Sequence, residues 1–344
     1  MKPVVMTLGD VCTKGSSNLA QKDLDGNSGE YEIYGASGLI KKVNFFHQEK
    51  PYIAVVKDGA GVGRTMLLPA KTSVIGTMQY IIPNENIDIE YLYYAITYMD
   101  LSRYYMGAAI PHIYFKDYCK EKILVPDIDI QKAIAHKFRI IDGLITARQE
   151  QLAKLGELIA SRFIEMFGEI GTDKFGWGLF KIGDLCIINP KKSDDTRLSS
   201  ELDVSFVPMP AVSEHGDIDT SETRKYDEVK TGFTYFADDD VLFAKITPCM
   251  ENGKGCVARH LCNGIGFGST EFHVLRPTNK VNSVWVYAVT SFPKFREDAA
   301  NNMTGSAGQR RVPAVFLEHY KITLPPIELQ EQFAAFVEQT DKSK

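Results

Sequence analysis

Asp129-Ile130-Gln131-Lys132-Ala133-Ile134-Ala135-His136-Lys137-Phe138-Arg139-Ile140-Ile141 opens a stretch that runs to Gly168 without a proline. Apolar residues recur along it at alternating steps of four and three: Ile134, Phe138, Ile141, Ile145, Leu152, Leu155, Ile159 and Met166, with Arg148 and Arg162 at the two remaining places of the stripe. That period predicts a coiled-coil-type helix over Asp129–Gly168. Pro126 ends the extended run before it, Asp129 is the expected N-cap, and Gly168 suits the residue just past the C-terminus. At ~1.5 Å per residue the helix would be about 60 Å long, more than one compact domain needs to cover its core. It is therefore expected to space two domains. Two arginines in the stripe, together with Gly143 and Gly156, weaken it in isolation, so it calls for a partner helix. An amphipathic helix lying on a single core is the other reading.

The 344 residues, 44% hydrophobic and 24% charged, supply enough material for two cores. No apolar run approaches ~18 residues and Met1–Asp10 has no signal-peptide core, which points to the cytoplasm and away from a membrane. Six cysteines without a CxxC pair suit reduced thiols; Cys12 and Cys186, each beside apolar residues, are expected to be buried. Cys249, Cys256, His260 and Cys262 lie close together, but at spacings that match no common zinc pattern, so no metal is expected. A net charge of −5 argues against a nonspecific nucleic-acid coat. It leaves room for a DNA reader with local basic loops, above all if another subunit supplies positive charge.

The rest of the chain repeats itself on either side of the helix. Met1–Val125 reads as α+β, with strands at Tyr31–Tyr34, Tyr52–Lys57, Gln79–Ile82 and Lys122–Val125 and a helical patch at Glu90–Tyr105. Lys174–Leu324 reads the same way, with strands at Val204–Met209, Asp240–Ile246, Glu271–Arg276 and Tyr320–Leu324 and a helical patch at Ser283–Asp298. Leu8-Gly9-Asp10-Val11-Cys12 corresponds to Ile182-Gly183-Asp184-Leu185-Cys186, and Tyr94-Ala95-Ile96 to Tyr287-Ala288-Val289. The clearest match is Val-Pro-Asp-Ile-Asp-Ile-Gln at 125–131 against Leu-Pro-Pro-Ile-Glu-Leu-Gln at 324–330, an offset of 199 residues (324 − 125). Glu328–Lys344 thus opens a second copy of the long helix, expected to be truncated. The resulting division is 1–126 and 174–325 as similar globular domains, 127–173 as the spacer helix and 326–344 as the start of the second helix.

Domain, helix, domain, helix, with that motif opening each helix, resembles the specificity subunit of type I restriction-modification enzymes. The resemblance covers nearly the whole chain. Its most specific parts are the Gly-Asp opening of each half, Asp240-Val-Leu-Phe-Ala-Lys-Ile-Thr-Pro, the Gly305–Gln309 loop and the Pro-Pro-Ile-Glu-Leu-Gln-Glu-Gln run at 325–332. It implies two target recognition domains that read the parts of a bipartite double-stranded DNA target. It also implies helices that pair antiparallel as a ruler and dock methyltransferase (modification) subunits, with restriction subunits beyond them. Such a chain is non-catalytic and serves DNA methylation and host defence, S-adenosylmethionine and ATP belonging to its partners.

The residues themselves offer no catalytic constellation. Gly59–Gly63 has Arg64 where a dinucleotide fingerprint needs glycine, Gly264–Gly268 fails likewise, and Asn189-Pro190-Lys191-Lys192 is not a methyltransferase motif. Donors able to reach phosphates and base edges do lie in glycine-bearing loops. In the second half they are Lys245, Asn252, Lys254, Arg259, Gln309, Arg310 and Arg311; in the first, Lys57, Arg64, Lys71, Gln79 and His112. Solvated surface charge is the alternative for each of them, and a structural role for Lys245. Two other functions compete: a duplicated-domain protein-binding scaffold with no DNA role, and a nucleotide-dependent enzyme built on Gly59–Gly63. A specificity subunit of a related system is a third variant.

Overall fold

The computed structural model describes residues 3–107, 111–306 and 308–343. The chain divides into two compact units, Met1–Gln149 and Glu150–Lys344. In order, the first holds β1 (Val4–Thr7), α1 (Leu8–Val11), β2 (Cys12–Ser16), β3 (Tyr31–Gly35), β4 (Gly38–Val43), β5 (Tyr52–Val56), β6 (Thr65–Leu68), β7 (Ser73–Val74), β8 (Met78–Pro83), α2 (Ile89–Tyr98), α3 (Phe115–Tyr118) and β9 (Lys122–Val125). The long helix α4 (Ile128–Phe167) follows. The second unit holds β10 (Leu179–Lys181), α5 (Ile182–Leu185), β11 (Cys186–Ile188), β12 (Asp203–Val207), β13 (Thr223–Lys225), α6 (Tyr226–Val229), β14 (Thr234–Ala237), β15 (Val241–Ala244), β16 (Gly255–Val257), β17 (Ile265–Gly268), β18 (Phe272–Pro277), α7 (Ser283–Ser291), α8 (Pro293–Asn301), α9 (Ala314–His319), β19 (Lys321–Thr323) and α10 (Ile327–Asp341).

The repeat is visible in the sheets. Each unit has an antiparallel four-stranded sheet of one order, β2-β8-β5-β6 in the first and β11-β18-β15-β16 in the second. Each also has a two-stranded antiparallel ribbon, β1-β9 and β10-β19. A second sheet, containing one parallel pair, completes each unit: β4-β3-β7 and β13-β12-β17-β14. The Gly-Asp motifs form the one-turn helices α1 and α5, each followed at once by a cysteine that begins a strand, with Cys12 and Cys186 both buried. Four residues are too short for periodicity to reveal, so the motif carried what the pattern could not.

Two helical patches differ from expectation. The chain predicted as one helix over Glu90–Tyr105 ends α2 at Tyr98, turns through Asp100 at φ 47°, and resumes as the 3-10 turn Leu101–Tyr104. The patch at Ser283–Asp298 is broken at Phe292, where ψ is 140°, and Pro293 begins α8, since proline is tolerated at a first helical position but not inside a helix. The long helix begins at Ile128, and its cap lies two residues before the expected one. Asp127 O accepts from Gln131 N at 3.0 Å, so the capping place falls to Asp127 and not Asp129. Gly168, at φ 81°, ends the helix as expected and donates to Ile164 O at 2.9 Å.

The apolar stripe of α4 is divided. Phe138 stacks on Tyr94 with centroids 5.0 Å apart, and Ile159 and Met166 pack on the core of the second unit. Every residue from 136 to 154 is exposed, including Ile141, Ile145 and Leu152, whereas Ile134 and Leu155 are half-buried. The buried anchors at the far end are Phe163 and Phe167, one place beyond the counted stripe. A straight α-helix drifts ~20° per heptad from a 3.5-residue repeat, so a stripe counted from Ile134 runs almost one residue out of step by the fourth heptad. Among the described residues no helix is long and apolar enough to cross a membrane.

Both helix-opening motifs bury their glutamine in one and the same bonding pattern. Gln131 Oε1 accepts from Asp88 N (2.9 Å), while its Nε2 donates to Pro126 O (2.8 Å) and Asn86 O (3.2 Å). Gln330 Oε1 accepts from Asn282 N (2.9 Å), while its Nε2 donates to Pro325 O (2.8 Å) and Lys280 O (3.3 Å). Asp88 and Asn282 in turn cap α2 and α7, so each glutamine ties the helix leaving its unit to a helix inside it. Gln131→Leu, which strands these backbone groups, is expected to destabilise the first unit by about 2 kcal/mol in urea titration. A change below about 0.5 kcal/mol would show that the clamp is energetically idle.

Candidate nucleic-acid interface

The strand ends carry the candidate cations, and the backbone bonds show which positions correspond. Lys57, just past β5, donates its N–H to Thr77 O (3.0 Å) and accepts from Ile113 N (2.9 Å); Lys245, just past β15, donates to Glu271 O and accepts from Val312 N, both at 2.9 Å. Val56 N donates to Arg64 O as Ala244 N donates to Lys254 O. His112 bridges to Asp58 and Met106, as Arg311 bridges to Ile246 and Thr304. Lys57 and Lys245, Arg64 and Lys254, and His112 and Arg311 are therefore equivalent pairs, which gathers three of the five first-half candidates and three of the seven second-half ones at one end of each four-stranded sheet.

In the second unit the two arginines of this end are held by carboxylates, and Lys254 by a backbone carbonyl. Arg311 makes a bidentate contact with Glu271, Nη2 to Oε1 at 2.8 Å and Nε to Oε2 at 2.9 Å. Its guanidinium holds the Glu271 carboxyl below its usual range. Arg310 Nη2 reaches Glu251 Oε1 at 3.0 Å, and Lys254 Nζ donates to Met209 O at 3.3 Å. Burial pulls the Lys245 ammonium below its usual value, and the nearby Glu271 charge opposes that shift. Asn252 and Gln309 are exposed on the two adjoining loops; Ala307, in the second loop, lies outside the described residues. In the first unit, Asp58 faces both the Lys57 ammonium (3.6 Å) and the His112 ring. Arg64 is exposed and donates from Nη1 to Ala36 O at 3.0 Å.

The remaining candidates stand elsewhere. Arg259 lies at the opposite end of β16 from Lys254, near Asp239 at 3.8 Å, and Lys71 sits in a turn at φ 59° that bonds to Gln48. Gln79 is 2% exposed and directs its amide to Tyr118 Oη, so it is a core polar contact of β8 and not a surface donor. Its side chain alternates inward because β8 is covered on both faces, which a lone strand pattern did not reveal. Sequence reasoning also passed over Tyr114, exposed beside the His112 ring at 4.1 Å and under the Lys116 ammonium at 5.1 Å, and over the buried Arg296. An exposed aromatic next to cations can stack on a base, yet in sequence it looks like core.

The glycine runs have structural reasons. Gly59–Gly63 leads into strand β6 and not into a helix, as a dinucleotide or phosphate loop would. A Cβ at Gly266 would fall 2.1 Å from the Phe236 ring, which is why that strand position is bare. Asp240, at the head of the quoted motif, is buried in a bidentate pair with Arg276 at 2.7 Å, so the motif combines an internal ion pair with a half-buried lysine just past β15. Among the described residues no group of three or more His, Cys, Asp or Glu side chains is placed to hold a metal ion. Arginines pre-set by carboxylates at a loop-bearing strand end, as Arg310 and Arg311 are, form an arrangement that a phosphate or a base acceptor can enter by replacing the carboxylate.

The chain thus carries a repeated α+β unit with cations at the same end of each four-stranded sheet, and a long helix after the first copy. The chain matches the family described as type I restriction modification DNA specificity domain over residues 2–156 and again over 175–344, and it belongs to that family. It is 42% identical over 155 residues to the specificity subunit of the type I restriction enzyme EcoEI from Escherichia coli, a stretch covering 44% of this chain and 25% of that one. To the EcoAI specificity subunit, also from Escherichia coli, it is 42% identical over 161 residues, 46% of this chain and 26% of the relative. The matched stretches thus span about a quarter of the length of these curated relatives. The crystal structure of the S subunit of a type I restriction-modification system from M. genitalium has the same fold, with a TM-score of 0.58 at 14% identity over 100% of this chain and 90% of that one.

Proposed function

We propose that this chain is the non-catalytic DNA sequence-recognition subunit of a type I restriction-modification enzyme, each unit reading one part of a bipartite double-stranded target. Residues 1–126 and 174–325 are the readers, and α4 is the spacer between them. The exposed apolar residues of α4 around Ile141 and Ile145 are where the modification subunits dock, and restriction subunits join through them. S-adenosylmethionine and ATP are bound by those partners, which also supply the positive charge that a chain of net charge −5 lacks.

The observation that carries the reading is the duplicated cradle: a lysine past the central strand, a cation on the neighbouring turn, and a cross-bridged His112 or Arg311, once in each unit. A duplicated reader predicts separable specificity. Alanines at Gln309, Arg310 and Arg311 together should relax selectivity only in the half-site read by the second unit, by about 1–3 kcal/mol for each lost bidentate base contact. Binding of the complex reconstituted with its methyltransferase subunit, measured on duplexes with single-base changes in each half-site, checks this. If both half-sites lose selectivity together, the two-reader reading is wrong; a uniform loss of affinity would make these three residues phosphate contacts.

A further inference from the structure

Arg296, on α8, is 7% exposed and reaches no carboxylate among the described residues. Its guanidinium instead donates to three carbonyls of one surface loop: Met250 O and Gly253 O at 3.1 Å each and Lys254 O at 3.3 Å. The plane lies over the Phe243 ring at 4.5 Å, and Nε has no partner. Burial draws its pKa down to about 10, so at neutral pH the charge persists inside the unit. A buried cation without a counter-charge costs stability that an apolar side chain of similar volume would not. What this one secures in return is the shape of the loop that carries Glu251, Asn252 and Lys254.

The first unit fixes the equivalent loop in another way. Arg64 and Lys254 are equivalent, so the residues before them, Gly63 and Gly253, are too. Gly63, at φ 87°, presses its backbone onto another segment: a Cβ there would fall 2.4 Å from Ser102 N and 2.8 Å from Leu101 C. At Gly253 a Cβ would meet only Glu214 O, at an ordinary 3.5 Å, and the Arg296 guanidinium bonds its carbonyl. One loop position is thus held twice, by direct backbone contact in one unit and by a buried arginine in the other.

We infer that Arg296 is the positioning residue for sequence selectivity in the second unit, setting the pose in which Asn252 and Lys254 meet DNA. This rests on the reading that these loops contact DNA. The test uses the complex reconstituted with its methyltransferase subunit and a duplex library randomised in both half-sites, sequenced after selection. Asn252→Ala and Arg296→Met should each weaken base preference at the same positions of the second half-site by about tenfold, a typical loss for one good base contact. The double variant should be no worse than the worse single one, and the first half-site should be untouched. Arg296→Lys, which keeps a donor for the carbonyls, should regain part of the preference.

Full additivity of the two losses, or unchanged preference in Arg296→Met while Asn252→Ala alters it, overturns the inference and leaves the functional reading standing. If neither variant, nor the triple alanine at 309–311, changes any preference, the DNA reading of these loops falls and the inference with it. Should Arg296→Met not fold, Arg296→Lys decides alone: a loss confined to the second half-site supports the role, and an equal or absent effect on all sequences overturns it.

Discussion

Phe163→Ala is expected to destabilise the second unit by about 3–5 kcal/mol, a large share of the stability of an ordinary domain. Phe163 is 2% exposed, and its ring meets those of Phe292 at 4.6 Å, Phe167 at 5.0 Å, Phe333 at 5.5 Å and Trp285 at 6.5 Å. Removing it opens a cavity between α4, α7 and α10 that four rigid rings cannot close by rotamer changes, so both the transfer and the cavity costs apply. Calorimetry should show one transition lowered and the transition of the first unit unchanged. A loss under about 1 kcal/mol would mean that the end of α4 is not anchored in that core.

A heptad inserted in α4 between Gln149 and Glu150 is expected to change which DNA is methylated without changing either half-site sequence. The insertion falls within the exposed run from 136 to 154, so neither core is disturbed, and seven residues restore the apolar stripe. The helix gains about 10 Å, equivalent to roughly three base pairs at ~3.4 Å each. Three pairs also turn one half-site by about 100° around the duplex, so the assembly must twist or settle on a nearby spacing. Sequencing methylated sites in cells carrying the variant reads the result directly. Retained activity with an unaltered gap between half-sites would remove α4 as the spacer.

The features legible in the sequence were those written as motifs or as long periodic stretches. The Pro-x-Ile-x-Ile/Leu-Gln openings and the Gly-Asp turns gave the duplication and hence the architecture, because each marks a position where the backbone is constrained. Breaks in short helices were less legible. Pro293 was in plain view as a first-turn residue, but Asp100 enters the left-handed region with nothing in its neighbours to announce it. Among candidate site residues, loop arginines such as Arg64 lie at the surface, as their charge led one to expect, since exposure and charge go together. Gln79 and Arg296 reversed that association: one polar side chain expected at the surface lies in the core, and a charge within a helical patch turned out to be buried. Which polar residue a fold turns inward depends on the strand and helix packed above it, and that information is not local.

The paired glutamine clamps bear on how such a chain can evolve. Each helix leaves its unit held by three backbone groups, two of them beside the cap of α2 or α7, and none of them in the loops that carry Lys57, Arg64, Lys245 or Lys254. Because the clamp bonds main-chain atoms, it makes few demands on the side chains around it. The loops can accept substitutions, insertions or wholesale exchange while the anchoring of the helix stays put. On the proposed function, mutation can therefore explore new recognition in one half at no cost to the other half, which is the separation that a lineage under pressure to alter its target again and again requires.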